Sequence, residues 1–214
     1  GVVRLFPSRD PEHGGYEAPA APVYTEHGSS PILFAKGLRS PWMGFRDELG
    51  RIILGDVGEG TYEEINVITA PGQNFGWPAA EGPCTGSCAA FVDPVRHWDR
   101  SETHPFVRAD PPAALRWPRV AWAARASYPD RPDRYGGQLA GAVLYGDMCV
   151  GFVRRLTLDD DGAVTSDEPL SHLENATGWA VGPDGFVYAA TFADRCTTSP
   201  GASYGRGRLF RLNP

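Results

Sequence analysis

Hydrophobic and polar positions along this chain change over in short runs, not in helical stripes. Val2–Phe6, Arg51–Leu54, Ala142–Tyr145, Phe152–Leu158, Phe186–Ala190 and Arg208–Leu212 are apolar or alternating stretches bounded by Gly, Pro or Asp. A period of two sends successive side chains to opposite faces of a pleated strand, so these runs predict β-strands. A helix needs apolar residues at i, i+3, i+4 and i+7, and no window of about 12 residues carries that stripe free of Pro and Gly. The best helix candidate is Pro112–Leu115, and Pro118 follows it. The segment from Phe91 to Pro132, rich in Pro, Arg and Trp, is the least regular and reads as long loops around a few strands.

Weak internal repeats organise the strands. A turn, a strand, an Asp-containing corner and a second strand recur in LGRIILGDVG, in LAGAVLYGDMCVGFVRRLTLD, and in PDGFVYAATF followed by GRGRLFRLNP. Asp56 and Asp147 stand 91 positions apart, which suits two modules of ~45 residues, the size of a four-stranded propeller blade. The chain opens with GVVRLFP and closes with GRLFRLNP, one closing-strand motif at both ends. The expected architecture is an all-β β-propeller in one unit, residues 1–214, holding the closing strand of one blade and about three four-stranded blades. Chance similarity among generic strands is the competing explanation.

Composition sharpens this. With 26 Gly and 20 Pro the chain suits short strands and many turns, and 42% apolar residues with six Trp and ten Phe allow a core. No apolar run approaches the ~18–20 residues a bilayer span requires, so no membrane span is expected. A net charge of −6 and a pI near 5.4 argue against nucleic acid as a partner, because phosphate binding relies on excess Lys and Arg. Gly1 is not an initiator Met, which reads as a processed product or a fragment, and a cleaved signal peptide would leave no trace.

The four cysteines leave three readings open. Cys84 and Cys88 lie in a Gly/Pro/Ser loop, and Cys149 and Cys196 each follow a strand. Disulfides would imply an oxidising, extracytoplasmic compartment, periplasmic or secreted. A C-x3-C pair with two remote partners could instead hold zinc, and four free thiols are the plain alternative. If the cysteines pair, Cys84 pairs with Cys88 by proximity, and Cys149 with Cys196 because both follow equivalent second strands of neighbouring sheets. Asn175-Ala-Thr177 matches a glycosylation triplet, a pattern that chance often produces.

A more specific pattern follows. GLRSPWMGF (Gly37–Phe45), GRIILGDVGEGTYEEINVI (Gly50–Ile68) and GQNFGWPAAEGPC (Gly72–Cys84) resemble, in order and spacing, the signature block of the soluble quinone-dependent aldose and sorbosone dehydrogenases. LAGAVLYGDMCVGFVRRL and GPDGFVYAAT extend the resemblance to the closing strand, so it covers nearly all of this chain but only the C-terminal half of the family fold. The resemblance implies a six-bladed propeller with pyrroloquinoline quinone (PQQ) and Ca²⁺ in its axial pocket, oxidising a sugar hydroxyl or aldehyde.

On that resemblance Arg39 stands where an arginine meets the quinone's carboxylates, a pairing that the guanidinium fork suits. An inter-blade salt bridge is its structural alternative. Ser40 replaces an Asn. Gly58 and Glu59 align with residues whose carbonyls face the cofactor metal. Glu64 aligns with a Ca²⁺-ligating acid and Phe75 with a backbone-carbonyl ligand, as a hard cation wants oxygen donors. The alternative for Glu64 is a hydrogen bond to the Gly72–Gly76 turn. Glu63, its neighbour on a strand, must point to the opposite face.

The catalytic inventory is thinner. The family's His base belongs to the N-terminal half, and His13, His27, His97, His104 and His172 sit in no recognisable base motif. A second cofactor-binding cation is expected just before GPDG, where Gly178-Trp179-Ala180-Val181 stands. The chain therefore reads as the C-terminal half of a sugar dehydrogenase, active only with an N-terminal half or another chain covering its open blade faces. The alternative is a non-catalytic structural or binding subunit of an extracytoplasmic assembly. A sugar-binding reading would rest on Trp98, Trp117 and Trp122, for which core packing is the competing role.

Overall fold

A computed structural model describes residues 1–7, 15–17, 23–24, 32–86, 88, 90–99, 119–192 and 207–214. Pro112–Leu115, Trp117, Cys196, His13, His27 and His104, named above, lie outside the described residues. All regular structure among the described residues is β. Strand β1 (Val2–Val3) pairs with β4 (Leu33–Ala35), and β2 (Phe6–Pro7) pairs with β3 (Tyr16–Glu17). Three larger sheets follow in chain order. The first joins β5 (Pro41–Arg46), β6 (Ile52–Asp56), β7 (Tyr62–Ile68) and β8 (Arg96–Asp99). The second joins β9 (Ala121–Arg125), β10 (Val143–Asp147), β11 (Phe152–Leu158) and β12 (Val164–His172). The third holds β13 (Ala176–Val181), β14 (Val187–Thr191) and β15 (Arg208–Arg211).

Each large sheet is an antiparallel meander in sequence order, the form of a propeller blade. Two are four-stranded, and the third is three-stranded among the described residues. The blades stack face to face, so strands are buried on both sides and their alternation is muted. Along β6, Ile53 packs with Trp98, Ala121, Tyr145 and Phe152 of one core, while Leu54 packs with Ala35, Leu38, Ile68 and Phe75 of another. Burial of side chains this large contributes about 1.5–3 kcal/mol each. Gly55 lies where first and second blades touch: a Cβ there would sit 2.5 Å from the Trp122 Cα, so only glycine fits.

The repeated aspartates occupy matching corners. Asp56 ends β6 and Asp147 ends β10, the second strands of their blades, and both are buried. Asp56 accepts the backbone amides of Arg39 (2.9 Å) and Ser40 (2.7 Å). Asp147 accepts those of Cys149 (2.9 Å) and Val150 (3.0 Å). Burial pushes both carboxyls above their usual range, against these bonds. The corner is thus one structural device used twice, with different amides in its grip.

Polar links cross between blades. Arg96 on β8 reaches the second blade, where its Nε meets Asp167 (2.9 Å) and donates to the Tyr145 hydroxyl (3.2 Å). Arg154 pairs with the same carboxylate at 2.7 Å, and the Tyr145 hydroxyl donates to it at 2.8 Å. The Tyr135 hydroxyl, between second and third blades, accepts from the Val187 amide and donates to the Leu212 carbonyl, both at 2.9 Å. No helix among the described residues is long and apolar enough to cross a membrane.

Candidate functional site

The start of β5, the end of β6 and the start of β7 share one end of the first blade, and this corner gathers Arg39, Ser40, Gly58 and Glu59. The Asp56 carboxylate holds the Arg39 and Ser40 amides, and the Val57 amide donates to the Ser40 carbonyl at 3.1 Å. Arg39 Nη1 donates to the Val57 carbonyl at 3.1 Å, and its guanidinium lies 5.6 Å over the Trp77 ring. Among the described residues Arg39 is in no ion pair, so the salt bridge considered for it is not formed there. Its exposed fork keeps donors for an anion.

Glu81, a residue that the sequence reading passed over, shapes this corner. Its Oε1 accepts four consecutive backbone amides, those of Glu59 (2.8 Å), Gly60 (3.0 Å), Thr61 (3.0 Å) and Tyr62 (3.1 Å). Burial pushes the carboxyl up, but the four amides together outweigh it and hold Glu81 below its usual range. Gly58 closes the turn: a Cβ there would lie 1.7 Å from the Tyr62 carbonyl and 2.5 Å from Glu81 Oε1. One signal was available, since Glu81 and Gly82 complete the P-x-x-E-G end of the matched block.

The adjacent acids Glu63 and Glu64 do face apart. Glu63 turns to the second blade, where it accepts the Ala121 amide at 2.8 Å. Glu64 accepts the Gly82 amide (2.5 Å) and the Asn66 Nδ2 (3.0 Å), so it does not bond the Gly72–Gly76 turn considered above. Burial pushes the Glu64 carboxyl above its usual range against these two bonds, and the nearby Asp56 and Glu81 push the same way. Glu64, Asn66 and Ile68 share one face of β7 by the period of two, and Ile68 packs in the core that holds Phe75. The Phe75 segment is held against Phe34–Gly37 by the bonds Lys36 N to Gln73 O (3.1 Å), Phe75 N to Lys36 O (3.0 Å) and Trp77 N to Gly37 O (2.9 Å).

One atom tests whether this pocket suits a cation. Asn66 is 0% exposed, its Nδ2 donates to Glu64, and among the described residues its Oδ1 has no partner. A buried acceptor without a donor costs about 1–3 kcal/mol, and beside a buried carboxylate a cation satisfies both. No group of three His, Cys, Asp or Glu is placed to hold a metal ion among the described residues. A Ca²⁺ here would therefore rest on one carboxylate and neutral oxygens, donors that fit a hard ion.

The fit to an anionic quinone is narrower. Arg39 offers a fork, while in the segment where the resemblance implies a second cation the Trp179 ring stacks on Trp122 with centroids 4.6 Å apart. Trp98 and Trp122 are each 1% exposed and belong to the core, so neither can stack on a sugar. His97 lies on the outer strand β8 edge-on to Tyr62, and His172 pairs with Glu174. Cys84 and Cys88 form a disulfide with Cα atoms 5.9 Å apart. Cys149 is disulfide-bonded as well, and Cys196, its expected partner, is outside the described residues.

Residues 12–197 match the protein family described as Glucose / Sorbosone dehydrogenase. The chain belongs to that family. A 73-residue stretch is 41% identical to the HIPL2 protein of Arabidopsis thaliana, 33% of this chain and 10% of that protein. The fold is similar to the PQQ-bound aldose sugar dehydrogenase of Streptomyces coelicolor (TM-score 0.56, 21% identity, 88% of this chain and 47% of that one). It is also similar to the apo-form soluble aldose sugar dehydrogenase of Escherichia coli (TM-score 0.57, 18% identity, 90% and 50%). At these identities the likeness speaks for the fold, the β-propeller expected from the repeats. The chain spans about half the length of these solved relatives.

Proposed function

We propose that this chain is the C-terminal half of a PQQ- and Ca²⁺-dependent sugar dehydrogenase, oxidising a sugar hydroxyl or aldehyde only when an N-terminal half or another chain completes the ring. The observation that carries this reading is the ordered corner around Asp56, in which Arg39, Ser40, Gly58 and Glu59 meet under the grip of Glu81. Bound there, the quinone would supply the two-electron acceptor, and Arg39 would pair with one of its carboxylates. Glu64 and the Phe75 carbonyl would hold Ca²⁺, with the unpartnered Asn66 Oδ1 beside them. The disulfide fits an oxidising compartment, periplasmic or secreted.

A non-catalytic structural or binding subunit is the second reading, and Trp179 and Ala180 in place of a cation favour it, since lost charge pairs weaken the hold on an anion. The two separate in a native preparation. An intact mass larger than this chain, together with quinone absorbance, supports the dehydrogenase. A partner without quinone absorbance supports the subunit.

A further inference from the structure

A cleft among the described residues lies away from the Asp56 corner. Inner strands β5, β9 and β13 all start at that corner's end, so Glu48, Ser127, Tyr128 and Val181, which follow or end them, mark the opposite end. There a cleft of about 310 Å³ opens, lined by Glu48, Tyr128, Arg131, Asp133, Arg134 and Tyr135 among others. That volume is at the lower bound of small-ligand pockets, roughly 300–1,000 Å³.

Arginines lie in pairs over two aromatic rings beside it. The Tyr128 ring has Arg125 at 4.2 Å and Arg131 at 4.4 Å, and the Phe186 ring has Arg134 at 5.3 Å and Arg211 at 4.4 Å. A guanidinium that stacks through its plane keeps its N–H edge for a forked bond in that plane. Arg131 spends Nη1 on the Val181 carbonyl, and Arg134 spends Nε on the Asp184 carbonyl at 2.8 Å. Among the described residues neither is in an ion pair. The two acids of the lining are already engaged: Glu48 pairs with Arg125, and Asp133 accepts the Tyr135 (2.9 Å) and Gly137 (2.6 Å) amides. Arg125, Arg131, Arg134 and Arg211 outnumber the carboxylates of Glu48, Asp133 and Asp184, the last of which feels Arg134, so the surplus charge around the cleft is positive in a chain whose net charge is −6.

We propose that this cleft binds a small carboxylate, held by the free edges of Arg131 and Arg134. A planar carboxylate matches a guanidinium edge with two parallel bonds, while Pro129, Pro132 and Ala140 provide wall for the C–H groups of a short hydroxylated chain and Ser127 and Tyr128 line it beside them. The site is independent of the quinone corner, and Arg39 has no part in it.

Calorimetric titration of the whole chain with D-gluconate tests this, with D-glucose, inorganic phosphate and chloride as comparison probes. Gluconate should bind, glucose should not, and Arg131→Gln and Arg134→Gln should each weaken gluconate at least tenfold. Arg134→Lys keeps the charge but loses the fork, and should weaken it nearly as much, with an unchanged melting curve showing that the variant folds. Arg39→Gln should leave gluconate binding as it was. Phosphate binding tighter than gluconate, equal binding of all anions, or gluconate affinity unaltered in folded Arg131 and Arg134 variants would each overturn the assignment.

Discussion

Glu64 and Asn66 stand two apart on β7, one a buried carboxylate and the other a buried amide whose oxygen lacks a donor. If Ca²⁺ occupies this place, it stabilises the fold by mass action: at a hundredfold excess over Kd, about 2.7 kcal/mol, or roughly 5–10 °C in Tm for a chain of this size. Glu64→Gln should lose most of that increment, since a ligand charge goes. Melting with calcium and with chelator, for both proteins, checks it, and a Tm indifferent to chelation removes calcium from the account. Glu81 makes a second prediction. Its four amides hold the carboxyl below its usual value of 4.5, so the native state favours the charged form. Stability from this group is present above pH 4.5 and is lost as the pH falls through the lower folded-state value. Glu81→Ala should cost about 1–3 kcal/mol at neutral pH, and in urea titrations its gap to the parent should close in acid. The P-x-x-E-G end of the matched block marked Glu81 as a position, but neither its role nor that of Asn66 was legible in the sequence. Periodicity assigns a residue to a face, but which amides converge on a carboxylate, and which oxygen is left over, depends on turns that the period does not describe.

At the scale of elements the sequence was more informative. Phe152–Leu158 is the strand expected, and the runs at 51–54, 142–145 and 186–190 became β6, β10 and β14 with ends moved by a residue or two. They were legible because a short apolar run between Gly, Pro and Asp can bury itself only in a sheet. The Asp56–Asp147 spacing was legible too, because each aspartate ends a second strand. The link between blades was not: Tyr145, Arg154 and Asp167 meet on neighbouring strands of the second blade, and only the stacking of blades brings Arg96 to them. Burial and the Asp167 charge push the Tyr145 hydroxyl far above its usual range, so it stays a donor. Asp167→Asn should therefore destabilise the pair of blades by about 1–3 kcal/mol, a loss of hydrogen bonds to charged groups. Urea unfolding measures it, and because Arg96 and Asp167 are partly exposed, the difference should shrink in high salt.

At the scale of the molecule, the described residues include exposed apolar side chains on the first and third blades. Trp42 is 56% exposed on the first blade, and Leu209 is 71% exposed on β15, whose four residues are all exposed. A full ring would cover such faces with neighbouring blades and close the axial end where Arg39 stands. In the 214-residue chain by itself, water would reach that corner and screen the charges an anionic quinone would depend on. On the proposed function, a completing half would change both at once, covering the apolar faces and excluding the solvent. The measurement that bears most directly on this reading is turnover by the purified 214-residue chain supplied with PQQ, Ca²⁺, aldoses and an artificial electron acceptor. The account predicts no rate above that of free quinone, and a rate clearly above it would contradict the account by showing that half a ring suffices.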